Sequence, residues 1–345
     1  GTTTATPGQL VFINNSTSHI TVNSTISFNG TTAGTTDVVY EGRSTGKLIL
    51  AGNNTTNGSI IINKGTLEVA AVNNAATAGP LGQSTAGATN ILLNGGTFRV
   101  TLAGGSGATD HGITVNAPST IDVAANTLTI NSTLLSVTSL AGPTHLGIQN
   151  AGILTKNGAG TLELKNLTTA ANNLNLSIRV SAGTLILSQA STSAISAIDL
   201  AGSAGLIIDA LATAQLGAAG TGGNQISDAS SVVVNSTGIF NLNGISETID
   251  GLAGDGTVQA NGTATLSLGG NNSAGLSAYS LASAASGVNA TGLNYFSGTL
   301  SNGTGTLSLT KVGSGTQIIA AVQAYSGATT ISAGTLQLGI DNALP

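Results

Sequence analysis

Glu247, Asp250 and Asp255 form the densest acidic group in this chain, and they sit among Gly251, Gly254 and Gly256. Carboxylates at that spacing could hold Ca²⁺ or line a sugar site. Placed beside so many glycines, they equally read as polar turn residues. Asp110-His111, in GGSGATDHGI, is the one adjacent acid–histidine pair. It has the elements of a general base with its orienting group, and Ser and Thr are plentiful enough to supply a nucleophile. That abundance also makes the pairing a weak signal. His19 and His145 lack metal-ligand spacing, and zero cysteine removes thiolate metal sites, thiol catalysis and disulfides together. GAGTG-like stretches at 158–162 and 217–223 lack the Lys-Ser/Thr of a phosphate loop and any strand–GxGxxG–helix context. Tyr40, Tyr279, Tyr295 and Tyr325 would bind sugars only if they shared a face; otherwise they pack at strand edges. The sequons at Asn15, Asn23 and Asn131 are what an Asn-, Ser- and Thr-rich chain produces by chance. The sequence therefore nominates no catalytic, cofactor-binding or metal residue, and alanine at Glu247, Asp250 and Asp255 is expected to leave fold and binding unchanged.

Elements that would position such residues are plain. The 345 residues are 6% charged, against roughly 25% in ordinary soluble domains. Eight Lys+Arg face thirteen Asp+Glu, and none of the cations lies between Arg179 and Lys311. No basic surface exists to track phosphates, so nucleic acid is excluded as a partner, as is an anionic membrane surface. The mean hydropathy of +0.31 is spread over short segments, none approaching the ~18 residues of a membrane span.

The segments share one phrase. NKGTLEVA (63–70), GAGTLELK (158–165), SAGTLILS (181–188) and SAGTLQLG (332–339) each place Gly before four or five residues that alternate polar and apolar. Alternation at period two is a strand with one buried face, and the glycine permits the corner that precedes it. Gly46 to Gly65 is 19 residues, as is Gly315 to Gly334; Gly160 to Gly183 is 23. Strands returning at that interval predict the rungs of a solenoid. An array of β-sandwiches, with the Asn-Gly dipeptides as hairpin turns, is the alternative.

The expectation is an all-β fold, a single-stranded right-handed parallel β-helix. It would run as one continuous solenoid over 1–345, with a loop or short-helix insertion at 275–298. Rungs ~4.8 Å apart stack equivalent side chains directly. Gly65, Gly183 and Gly334 should then occupy equivalent corners, with Leu67, Leu185 and Leu336 pointing inward. Asparagines at turns should form amide ladders, and stacking like charges would be penalised, which accounts for the low charge.

Residues 309–339, LTKVGSGTQIIAAVQAYSGATTISAGTLQLG, resemble the autotransporter-associated β-strand repeat. Lys311, Gly313, Gly315, Tyr325, Gly327, Thr329, Ile331, Gly334, Thr335, Leu336 and Leu338 fit its pattern in order. Residues 154–187 look like a second copy without the Tyr-x-Gly step, and 46–69 like a weaker third. The resemblance implies a secreted β-helical passenger of a bacterial surface protein, extracellular or on the cell surface. Its membrane contact would lie only in segments absent from this chain, since four Tyr and five Phe are too few for a barrel's aromatic girdles. Gly1 is not an initiator Met, so either an upstream segment has been removed or the chain is a fragment, and DNALP reads as the start of another rung, which implies processing, truncation or head-to-tail continuation.

Two classes of function remain. The first is a non-enzymatic structural protein: a stalk, an adhesin or a fibre subunit. It would bind host or matrix surfaces and associate with its own copies head to tail, and it would need no cofactor and no small-molecule substrate. The second is a carbohydrate-active β-helix enzyme, a polysaccharide lyase or hydrolase. Two or three carboxylates converging in a groove would separate them.

Overall fold

Strands of four residues with alternate side chains buried recur through the molecule, and among the described residues the named strands pair in parallel. The structure, a computed structural model, describes residues 8–27, 35–87, 89–132, 134–136, 153–165, 177–190, 196–198, 204–217, 224–269 and 294–345. The chain is a parallel β-solenoid. It divides into two compact units, Gly1–Asn166 and Leu167–Pro345.

In the first unit three walls rise rung by rung. One stacks Gly8–Asn14, Thr36–Gly42, Ile60–Lys64, Ile91–Leu93, Ile113–Val115 and Leu134–Ser136. The second stacks Ile20–Val22, Lys47–Leu50, Thr66–Val69, Thr97–Val100, Ser119–Val123 and Ile153–Asn157. The third, shorter, stacks Gly107–Thr109, Thr127–Ile130 and Thr161–Leu164. The second wall shows why the alternation exists. Leu48, Leu67, Phe98 and Ile121 pair in register as one buried column, and Leu50, Val69, Val100 and Val123 as another. Each such side chain contributes roughly 1.5–3 kcal/mol of burial. On the opposite face Thr66, Thr97, Thr120 and Thr155 form a half-buried column.

The second unit repeats this construction. One wall holds Ser177–Val180, Ala204–Ile208, Ser231–Val234, Leu252–Gly254, Tyr295–Phe296, Thr316–Ile319 and Thr335–Leu338. Another holds Thr184–Leu187, Thr213–Leu216, Ile239–Asn241, Thr257–Gln259 and Thr299–Ser301. A third holds Glu247–Ile249, Thr263–Leu268, Thr306–Lys311 and Thr329–Ile331. The buried column Leu185, Ala214, Phe240, Val258, Leu300 sets the small Ala214 beneath the large Phe240. That alternation fills space without strain. Of the expected 275–298 insertion, 275–293 lies outside the described residues, and Tyr295–Phe296 is a strand.

The corners conform to expectation in one respect and depart from it in another. Gly65, Gly183 and Gly334 have φ of 79°, 66° and 67°, the left-handed region where a Cβ is penalised. Yet within the second unit Gly183 opens a strand of one wall and Gly334 a strand of a different wall. The same holds in the first unit for Gly65 and for Gly160 of GAGTLEL. The Gly-Thr-Leu phrase encodes a corner plus a strand, and every wall needs one. Leu67 and Leu185 are fully buried, whereas Leu336, in the strand Thr335–Leu338, is half-buried.

Candidate functional site

The acidic group does not converge. Glu247 opens a strand and points inward, 3% exposed. Its Oε2 accepts the Gln225 backbone N–H at 2.8 Å, and Asn224, with its amide oriented to satisfy both groups, donates to Oε1 at 2.9 Å. Burial pushes its carboxyl well above the usual range, opposed by hydrogen bonds from the backbone of Gln225, Ile226 and Thr248. Asp250 is buried and lies near Lys311, while Asp255 is exposed at a corner. The three carboxylates thus have separate surroundings. Among the described residues no cluster of three or more His, Asp or Glu is placed to hold a metal ion.

Asp110 and His111 also face different ways. Asp110 Oδ1 accepts the Ala75 N–H at 2.6 Å. His111 is completely buried, its Nδ1 3.4 Å from Ser84 Oγ and its Nε2 3.5 Å from Asn73 Nδ2. Ser84 Oγ in turn accepts Asn90 Nδ2 at 2.8 Å. The Ser84 hydroxyl is enclosed with the His111 ring in a packed polar cluster, while Asp110 is half-buried. His19 is exposed and accepts the Lys47 N–H at Nδ1; His145 and Tyr279 lie outside the described residues. Tyr40 is buried and donates to Gly46 O at 2.9 Å. Tyr325 is buried and shares a hydrogen bond with Thr329 Oγ1 at 2.5 Å. Tyr295 is half-buried. Tyr40 and Tyr325 thus fasten the chain locally.

Most polar side chains bind the rung above or below. Glu68, Arg99 and Asp122 occupy one register column of the second wall. Glu68 Oε2 is 2.6 Å from Lys47 Nζ and 3.0 Å from Arg99 Nε, and Arg99 Nη1 pairs with Asp122 Oδ2. The result is a ladder of alternating sign, Lys47–Glu68–Arg99–Asp122. Carboxylates that look scattered in sequence are therefore stacked, and opposite charges occupy the positions where like charges would repel. In the second unit Arg179 Nε pairs with Asp209 Oδ2 at 2.6 Å, and Ser181 and Asn235 donate to the same carboxylate. Asn94 donates to Asn63 at 2.8 Å and Asn116 to Asn94 at 2.7 Å, the amide ladder expected at a corner.

Inside the walls, side-chain amides replace missing strand partners. Gln225 accepts from Gln189 N and donates to Gln189 O, both at 2.9 Å. Gln317 does the same for Leu252. A buried backbone group left unpaired would cost about 1–3 kcal/mol, so these glutamines are structural. Their role needs the register, which no local pattern displays.

The repeat's lysine has a specific task. Lys156 is fully buried, and its Nζ donates to Asn157 O and Gly158 O, each at 2.8 Å. Gly158 has φ 79°. Lys311 repeats the arrangement with Val312 O and, at 3.0 Å, Gly313 O, whose φ is 64°. The ammonium satisfies the carbonyls that a left-handed corner turns away from the sheet. Burial lowers the Lys156 pKa to about 8, partly offset by nearby Asp122; Lys311 is lowered for the same reason, offset by Asp250. Methyl groups on Gly269 and Gly334 would come to 2.8 and 2.9 Å of the Lys311 Nζ. They would meet backbone first, Val312 O at 2.3 Å from Gly269 and Gly313 O at 2.3 Å from Gly334, so close stacking of the corner carbonyls reserves both positions for glycine and the ammonium shares that space.

These features define a repetitive parallel solenoid whose polar side chains tie rung to rung. The repeats identify it further. The passenger-associated-transport repeat family matches residues 44–69, 154–187 and 309–338. The chain is also 34% identical over 184 residues to the adhesin BmaC autotransporter of Brucella suis biovar 1 (strain 1330), a match covering 52% of this chain and 5% of that protein. No solved structure matches it. The chain thus carries three passenger-associated-transport repeats and is similar over about half its length to an autotransporter adhesin, of whose length it spans about 5%.

Proposed function

We propose that this chain is a non-enzymatic segment of an extracellular, adhesin-like passenger, presented at a bacterial cell surface. The observation that carries the reading is where the polar groups go. The charge ladder, the amide ladder and the buried lysines and glutamines each bind neighbouring rungs or the chain's own corners. The relative's printed name, an autotransporter adhesin, supports the same class. The test uses beads coated with the purified chain on matrix-coated and host-cell surfaces. Retention above albumin-coated beads is expected, and retention equal to albumin would reduce the chain to a spacer. In parallel, the chain is incubated with a polysaccharide panel. Release of reducing or unsaturated ends that disappears on Asp250→Ala would overturn the non-enzymatic reading in favour of a lyase or hydrolase.

Head-to-tail association is the finer part of the proposal. Among the described residues Gly8–Asn14 and Thr335–Leu338 are each paired on one side only. Leu10, Val11 and Ile13 are 38%, 50% and 53% exposed, and Ile331 and Leu338 are 56% and 46% exposed. Such edges are templates for another strand, and a heterologous contact between them propagates as a filament. In a longer passenger the next rung would cover the same edges. Light scattering over a concentration series distinguishes the cases. Growth in mass that Val11→Lys and Leu338→Lys suppress is expected, and a monomer at every concentration refutes association.

A further inference from the structure

We infer that His111 is an acid-sensitive latch for the excursion that leaves the solenoid between Thr66–Val69 and Ile91–Leu93. The described part of that excursion, 70–87 and 89–90, is tied to Asn54 and Thr56 on one side, through Gly79, Pro80 and Gln83, and to 107–112 on the other by polar contacts around one ring. Thr109 Oγ1 donates to Asn73 O at 2.7 Å, Asp110 Oδ1 accepts Ala75 N, and Gly112 N donates to Gly87 O at 3.1 Å. At the centre His111 lies completely buried between Asn73 and Ser84.

The Asn73 amide sets the protonation state that fits. Its nitrogen faces Asn74 O, Thr77 O and Gly82 O at 3.1, 2.7 and 2.7 Å, and its oxygen accepts Leu81 N. Its orientation is fixed, and the nitrogen it presents to His111 Nε2 gives its two hydrogens to those carbonyls and cannot itself accept one. A hydrogen on Nε2 finds no acceptor there, so the arrangement fits the neutral ring with its proton on Nδ1, toward Ser84 Oγ. A second proton would set Nε2–H against an NH₂ group in a site closed to water. No Asp, Glu, Lys, Arg or His lies between Glu68 and Arg99, so the excursion brings no carboxylate to offset an imidazolium. Asp110 is the charged group beside the ring, and its Oδ1 is engaged by Ala75. Burial accordingly lowers the His111 pKa below its ordinary 6.5, with Asp110 opposing.

Protonation thus favours the open form, in which the ring and Leu81, 2% exposed when closed, reach water. With a proton excluded from the closed form, lowering the pH to 5 raises the opening constant by up to about thirtyfold, counted from the ordinary value of 6.5. The readout is hydrogen exchange of the full chain at pH 7.5 and 5.0, normalised to intrinsic rates. The amides of Ala75, Leu81 and Gln83 are followed, since they donate to Asp110 Oδ1, Asn73 Oδ1 and Thr56 O. Protection at these sites is expected to fall at pH 5.0, by no more than about thirtyfold, with strands Lys47–Leu50 and Thr97–Val100 unchanged. His111→Gln should abolish the pH response, and Asp110→Asn should keep it. Unchanged wild-type protection, or an equal fall in His111→Gln, overturns the latch. If His111→Gln does not fold, NMR titration of the wild-type imidazole decides. A His111 midpoint at or above 6.5, or one uncoupled from the exchange change, overturns it as well.

Discussion

Gly158→Ala separates two costs that a left-handed corner combines. Gly158 has φ 79°, and an L-residue there costs about 1–2 kcal/mol. Its Cβ would also stand 2.3 Å from Val123 O and 2.4 Å from Asp122 Oδ1 in the rung below. Relieving that crowding adds about 1–3 kcal/mol, so the whole change costs about 2–5 kcal/mol. Two glycines of the same unit serve as controls. Gly105 has φ 121° with nothing within 4 Å of an added Cβ, so Gly105→Ala should show the backbone cost alone, about 1–3 kcal/mol. Gly104 has equally open space and no left-handed φ, and Gly104→Ala should stabilise by about 0.4–1 kcal/mol. Urea denaturation followed by circular dichroism gives the three values, and hydrogen exchange of Thr161–Leu164 localises the loss. If Gly158→Ala costs no more than Gly105→Ala, close stacking between rungs is not what reserves the position for glycine.

Three further outcomes follow from packing and charge. Because burial lowers the Lys156 pKa from 10.5 to about 8, the unfolded chain binds the proton more readily between those values, so first-unit stability should rise as pH climbs from about 8 to about 10.5. That rise should vanish in Lys156→Met, and a wild-type stability that is flat over this window refutes the burial argument. Glu68→Ala leaves Lys47 and Arg99 without their shared carboxylate, whose side chain is 15% exposed; a loss of about 1–2 kcal/mol that shrinks in 1 M salt is expected, whereas a salt-independent loss would point to packing. Leu185→Ala, at a fully buried position, should cost about 2–5 kcal/mol, and Leu211→Ala, 84% exposed, less than about 0.5 kcal/mol in the same urea titration.

What the sequence displays is local. The polar-apolar alternation of Thr66–Val69 and the glycine before it are contiguous, so strand and corner could be read directly. Parallel pairing followed from the return interval. Wall assignment did not, because Gly183 and Gly334 carry the same phrase into different walls, and only the lengths of the intervening excursions decide which. The ladder was hidden for a related reason. Glu68, Arg99 and Asp122 meet only once the register is fixed. The low charge, read as avoidance of repulsion, is accompanied by pairing: among the described residues eight of the chain's 21 charged side chains take part in ion pairs. Asp110-His111 was visible as a dipeptide, but Asn73 and Ser84, which determine what the ring can do, lie 38 and 27 residues away.

Lys311 also bears on how a chain of this kind can lengthen. Its ammonium occupies room left by Gly334 in the following rung, and both residues fall within the match at 309–338. The same span contains Thr316–Ile319 and Thr335–Leu338, which pair with each other in register. A matched copy therefore contains a joint, the seam where one turn of the chain rests on the next. A gene segment of this length, when duplicated, carries its own complementary surfaces and can be inserted without waiting for compensating changes nearby. A segment cut short of Gly334 would bring the lysine without its space. Such genes would then favour growth in whole joints over single strands.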